Sequence, residues 1–303
     1  MKETLYLIGG SGFIGKNLVR LLSHSYSITV FDKYIDTSFF SKYPDIQTVI
    51  LDLAKDKISK IYQTPNYIIN LASIVSVERD LSLFNELISS NLKVLLNLFE
   101  RFKDDVTLKL FIQFGSSEEY GNIHSPFRED MRECPNSPYA LIKQLTTNTA
   151  LMLYRNYKFP TIVVRPGNLF GPGQNESKFI PYIVNQLIEN KKINVSPCEQ
   201  RRDFLYIEDF VTYIHIILKN YKEILGEIIN VSSGRSISLR EVINFYKEYL
   251  KSSSEINYGA IPYRENEVMD LRCDVSKLSS ITFYSEGENS LKKYADFIIK
   301  RSK

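Results

Sequence analysis

The chain has 303 residues, of which 44% are hydrophobic and 24% charged, and its formal net charge is +3. That length can bury a sizeable core in one large domain or about two smaller ones, and so small a charge argues against nucleic acid or an anionic membrane as a partner. No run approaches the roughly 18 apolar residues that span a bilayer, and the opening MKETLYLIGG begins a strand at once and does not read as a signal peptide.

Short β-rich runs come first: TLYLI, SITVFD, IQTVIL, YIINLA, LKLFIQF and TIVVRP. Several are nearly continuous apolar stretches, as parallel strands covered on both faces require. Helical patterns lie between them, notably over 83–102 and 138–157. Alternation of β and α predicts an α/β fold, a doubly wound parallel sheet, over about residues 1–170. Beyond it come a helix around 179–189, a strand at DFLYI, a helix around 209–220, a strand at EIINV and terminal helices. The segment of about 203–232 is expected to return to the sheet. Residues 171–202 and 233–303 are expected to form a smaller, mixed C-terminal domain that covers a substrate. Cys134, Cys198 and Cys273 are scattered and odd in number, in no metal or disulfide spacing. They read as buried structural thiols in a reducing cytoplasm, and no metal is expected.

The first strand runs into GGSGFIG, with Gly9, Gly12 and Gly15 spaced G-x-x-G-x-x-G, and then into the helical FIGKNLVRLL, which opens on Phe13 and Ile14. Glycines there allow a tight turn and a close approach of backbone to a pyrophosphate, while the helix N-terminus supplies amide donors and a favourable dipole. Asp32 ends the second strand, where a carboxylate can accept from both adenosine ribose hydroxyls and repel a 2′-phosphate. That favours NAD(H), but Lys33 follows and would suit NADP(H), so NAD(P)H is expected with the phosphate open. Further on, YALIK sets Tyr139 and Lys143 at i and i+4, on one helix face. Ser137-Pro138 is a helix-start signal. An ammonium beside a phenol lowers the phenol's pKa and equips it as a general acid or base.

GGSGFIG, Asp32, NLAS, GSSEEYG, SPYALIK, RPGNLFGPG and RRDFLYIEDF, in this order, resemble the extended short-chain dehydrogenase/reductases that act on nucleotide sugars. The resemblance covers nearly the whole chain. It implies a Rossmann dinucleotide-binding domain and a nucleotide-diphosphate sugar as substrate. It also implies a homodimer through helices near 83–104 and 137–157. Ser116 takes the place of the catalytic hydroxyl, Tyr139 of the acid/base and Lys143 of its partner, which also holds the nicotinamide ribose. Asp52 and Leu53 resemble the pair at the adenine, and Ala72 and Ser73 the strand-end residues beside the cofactor. Asn168, Phe179, Arg202 and Arg264 are implied to hold the substrate, the two guanidiniums suiting a diphosphate. Arg201 reads as a solvated neighbour.

GSSEEYG raises one question, the role of its two glutamates. Ser116, Ser117 and Glu118 align with the Thr-Asp-Glu or Thr-Ser-Glu of nucleotide-sugar 4,6-dehydratases and decarboxylases, which would make Glu118 catalytic. GSSEEYG also resembles the loop of GDP-4-keto-6-deoxymannose reductases, and the C-terminal third, with GPGQNESKFIPYIV, EQRRDFLYIEDF and NYGAIPYRENEVM, resembles CDP-abequose synthase and other 4-keto-6-deoxy sugar reductases. The favoured expectation is therefore a C4-ketoreductase serving a deoxy sugar of a surface polysaccharide. A 4-epimerase and a 4,6-dehydratase remain open. In the reductase reading Glu118 and Ser117 are at most substrate contacts, and Glu119 is solvated.

Overall fold

In the computed structural model of the chain, residues 2–60, 62–75, 80–282 and 290–301 are described. Its centre is a sheet of seven parallel strands. They are β1 (Glu3–Ile8), β2 (Tyr26–Asp32), β3 (Gln47–Ile50), β4 (Tyr67–Asn70), β5 (Leu110–Phe114), β6 (Thr161–Pro166) and a last strand, Ile228–Val231. From one edge to the other the order is Ile228–Val231, β6, β5, β4, β1, β2, β3. The order reverses between β1 and β4, and in such sheets the crevice beyond the carboxyl ends of those strands is where ligands bind.

The apolar runs are continuous because two cores interleave in them. Successive strand residues point to opposite faces. Leu5, Leu7, Ile28, Val30, Ile69, Ile112 and Val164 face α1 (Phe13–Leu22) and the Ile207–Asn220 helix. Tyr6, Ile8, Phe31, Ile68, Phe111 and Val163 face the helical segment 84–102 and the Pro138–Tyr157 helix. Each fully buried leucine, such as Leu5 or Leu7, contributes about 1.5–3 kcal/mol by leaving water. A third cluster, including Ile183, Leu187, Val242, Tyr246 and Tyr294, lies outside the sheet and gathers Phe179–Ile188, Leu239–Tyr249 and Ser290–Arg301.

Several expectations change in detail. DFLYI supplies Phe204–Tyr206, which pairs in parallel with Asn168–Phe170 and not with the main sheet, whereas EIINV supplies the returning strand beside β6. Segment 84–102 is helical throughout, but Ser89–Lys93 forms a π turn, beside which the Asn91 side-chain Nδ2 donates to Leu87 O at 2.9 Å. Cys198 and Cys273 are buried, but Cys134 is exposed, because it lies on the irregular stretch before the Pro138–Tyr157 helix. Among the described residues, no helix is long and apolar enough to cross a membrane.

Candidate active site

The carboxyl ends of β1, β2 and β4 border a cavity of about 890 Å³, lined among others by Gly9, Gly12, Asp32, Leu53, Ala72 and Ser73. The glycine loop is built for close approach. Gly9 has φ +71°, and a Cβ there would lie 2.8 Å from the Ala72 nitrogen. A Cβ on Gly15 would lie 2.3 Å from Gly10 O. Gly12 differs: its nearest neighbour would be Gly9 O at 3.6 Å, so its outer side is open. Gly12 is also the N-cap of α1, and no side chain caps the first turn. The amides opening α1 at Phe13, Ile14 and Gly15 therefore have no partner within the helix, which is the arrangement that receives a phosphate. These features fit a dinucleotide.

Asp32 does two things. Its Oδ2 accepts from the Ser11 amide at 2.9 Å and its Oδ1 from the Tyr34 amide at 3.3 Å, so the carboxylate braces the loop as well as facing the cavity. Lys33 lines the same cavity, and its Nζ lies 3.4 Å from Asp52 Oδ1. Asp52 also faces Lys55 at 3.6 Å and accepts from the Ala54 amide at 3.1 Å. Of the expected adenine pair, Leu53 lines the cavity and Asp52 does not; it holds the lysines.

Ser116 follows β5, and Tyr139 and Lys143 sit in the first turns of the Pro138–Tyr157 helix. That helix starts where Ser137 Oγ accepts from the Ala140 amide at 3.1 Å, with proline next. All three side chains are buried. The Ser116 and Ser73 hydroxyls both act on the Tyr139 phenol. Lys143 Nζ donates to Phe114 O at 3.0 Å and lies 5.9 Å from the Tyr139 ring centre. The expected lowering of the phenol's pKa is not found. Burial pushes Tyr139 well above its ordinary value, against the two serine hydroxyls, and Glu118 and Glu119 add to the rise. Burial likewise pulls Lys143 down to about 8, while Glu119 opposes the fall. Desolvation is the largest influence on both groups.

A second cavity, of about 310 Å³, opens on the other side of Tyr139. Ser116, Ser117, Glu118, Asn168, Arg202 and Arg264 all line it, and Phe13, Ile14, Val75, Gln174 and Lys178 form a wall common to both cavities. Arg202 is already engaged: it donates to Val268 O at 2.7 Å and pairs with Glu267. Arg264 is exposed. Arg201 is exposed too, with Glu241 at 3.3 Å. Phe179 is not on this wall; it stacks on Phe204, with ring centres 6.3 Å apart.

The two glutamates of GSSEEYG have opposite fates. Glu118 is exposed and lines the smaller cavity, and Glu119 is fully buried, not solvated. Glu119 accepts from the Ser116 amide at 2.8 Å, Thr147 Oγ1 at 3.0 Å and Arg165 Nε at 2.9 Å. The signal for this was present. Ser116-x-x-Glu119 is a capping box, in which the last residue folds back on the first. A lone arginine inside the apolar TIVVRP also needs a buried anion.

The family model for the NAD dependent epimerase/dehydratase family matches residues 5–232, and the chain belongs to that family. Its cofactor is accordingly a nicotinamide dinucleotide. The chain is 26% identical to CDP-abequose synthase of Salmonella muenchen, over 94% of each chain. It is also 26% identical to dTDP-D-glucose 4,6-dehydratase of Dictyostelium discoideum, over 79% of this chain and 60% of that one. Among solved structures, UDP-N-acetylglucosamine 4-epimerase from Methanobrevibacter ruminantium superposes with a TM-score of 0.90 at 23% identity, covering 99% of this chain and 100% of the other, and so shares the fold.

Proposed function

We propose that this enzyme reduces the C4 ketone of a nucleotide-diphosphate 4-keto-6-deoxy sugar. The observation that carries the reading is the position of Tyr139, taken with the match to an abequose synthase over 94% of each chain. Its hydroxyl lies between Ser73, on the wall of the larger cavity, and Ser116, on the wall of the smaller. Burial raises its pKa. A protonated phenol can give its proton to the alkoxide that a ketone reduction produces. The bound dinucleotide supplies the hydride. Tyr139 protonates the C4 oxygen, Ser116 hydrogen-bonds that oxygen as charge develops, and Lys143 provides a positive charge beside the phenol. Residues 1–170 with 203–232 hold the dinucleotide and lend Asn168 to the sugar, and residues 171–202 with 233–303 hold the nucleotide sugar through Arg202 and Arg264. Exposed Leu96, Leu141 and Leu145 on the two long helical segments suit pairing of two copies.

The match to an abequose synthase over 94% of each chain supports the same reading. A 4,6-dehydratase is the second reading, because Glu118 lines the sugar cavity beside Ser116. The test is loss of reduced-nicotinamide absorbance when the protein meets NADH or NADPH and a panel of NDP-4-keto-6-deoxy sugars. Stoichiometric loss is expected. No loss with any member, together with NAD released from the denatured protein, would overturn the reductase reading.

A further inference from the structure

We propose that Glu119 is a positioning residue that clamps Ser116 to the helix bearing Tyr139 and Lys143. The proposal rests on the reading of those three residues given above. Ser116 comes from the end of β5 and the other two from a helix that begins at Pro138, so no local backbone geometry fixes the distance between them. One oxygen of Glu119 does, together with the Lys143 bond to Phe114 O. Glu119 Oε1 accepts from the Ser116 amide at 2.8 Å and from Thr147 Oγ1 at 3.0 Å. Thr147 follows Lys143 by four residues and lies on the same helix face. The other oxygen takes Arg165 of β6, whose guanidinium carbon lies 4.6 Å from the Tyr120 ring centre. Arg165 also pairs with Glu133, which accepts from Gln144 Nε2 of the catalytic helix at 3.3 Å. Two struts thus run from the buried cluster to one helix. Gly115 leaves room for it: a Cβ there would lie 2.4 Å from Glu119 Oε1.

The clamp carries charge as well. Facing Lys143 are the Phe114 carbonyl from β5, Tyr139 from its own helix, and the Glu119 carboxylate, itself bound to Arg165 of β6. Glu119 therefore both sets the serine–tyrosine spacing and sustains the ammonium.

Glu119→Gln keeps the shape and an acceptor for Ser116 but removes the charge. With the keto sugar turned over fastest in the panel above, kcat should fall about ten-fold or more while KM for sugar and cofactor stays within about two-fold. Removing an anion lowers the pKa of a nearby ammonium, so the alkaline limb of the kcat profile should move down by about one pH unit. A purely structural carboxylate would lower the melting temperature and leave that limb in place. Wild-type kcat with an unmoved limb in Glu119→Gln, alongside an inactive Tyr139→Phe, overturns the clamp. An active Tyr139→Phe overturns instead the reading on which it rests. If Glu119→Gln does not fold, Thr147→Val decides: kcat should drop several-fold and return in Thr147→Ser, and a wild-type kcat in Thr147→Val overturns the proposal.

Discussion

Alanine at Gly12 and alanine at Gly15 should fail in different ways, and the difference tests the dinucleotide loop without any knowledge of the sugar. At Gly15 the new Cβ would sit 2.3 Å from Gly10 O and 2.4 Å from Gly10 Cα, both backbone atoms that cannot swing aside. Overpacking of this kind costs about 1–3 kcal/mol. In a chain of this size that lowers the melting temperature by about 2–5 °C. At Gly12 the nearest atom is 3.6 Å away and φ is −78°, open to any residue, so the fold should lose only about 0.5 kcal/mol from a poorer N-cap. The methyl would instead stand in front of the amides at Phe13, Ile14 and Gly15. Loss of one or two charge-assisted hydrogen bonds, at about 1.5–3 kcal/mol each, weakens binding by about 10–100-fold or more. The chain has no tryptophan, so the fluorescence of NADH itself reports binding without energy transfer from indole. A Gly12→Ala protein that binds NADH as tightly as the wild type would refute the placing of the pyrophosphate. An unchanged melting temperature in Gly15→Ala would refute the packing argument.

Three further outcomes are expected. Glu118→Gln should keep kcat within a few-fold of wild type if the enzyme is a reductase, whereas a loss beyond about a hundred-fold with binding intact would establish an acid or base role at that position. Arg264→Ala should raise the nucleotide-sugar KM by about ten-fold with little change in kcat, through loss of one guanidinium–phosphate contact, and an unchanged KM would remove its role. Lys143 has its pKa lowered to about 8, so between about pH 8 and 10.5 the unfolded chain binds the proton that the folded chain has lost. In that window stability rises with pH at up to about 1.4 kcal/mol per unit from this group. Lys143→Met should therefore stabilise the protein more at about pH 7 than at about pH 10 in thermal melts; an equal gain at both would show that the lysine is not desolvated.

The sheet was legible because burial on both faces leaves nearly continuous apolar runs, and because Ser137-Pro138 and Gly12 mark helix starts that the structure keeps. DFLYI misled for a physical reason. Its apolar alternation specifies a half-buried strand but not which sheet receives it, and Asp203, fully buried and accepting from Ser233, Gly234 and Cys273 amides, ties that segment to the second layer. Glu118 and Glu119 could not be ranked by periodicity, since a four-residue 3-10 turn has no repeated face. Their ranking lay in the S-x-x-E spacing, in Gly115 and in the arginine of a distant strand. Phe179 stacks on Phe204 and so does not line the smaller cavity. Tyr139 and Lys143 were placed correctly on one helical face, but the sign of the phenol's shift depends on desolvation, which no spacing reveals.

The wall common to the two cavities has a consequence for how such an enzyme diversifies. Phe13, Ile14, Gln174 and Lys178 touch both chambers, so any change among them is felt by both ligands together. Arg202, Arg264, Asn266 and Glu267 line the smaller chamber alone. With the nucleotide sugar in the smaller chamber, as proposed above, sequence drift on that outer rim would exchange one nucleotide or sugar for another while leaving the larger chamber untouched, which would make the rim the natural ground for new substrates and the common wall a brake on change.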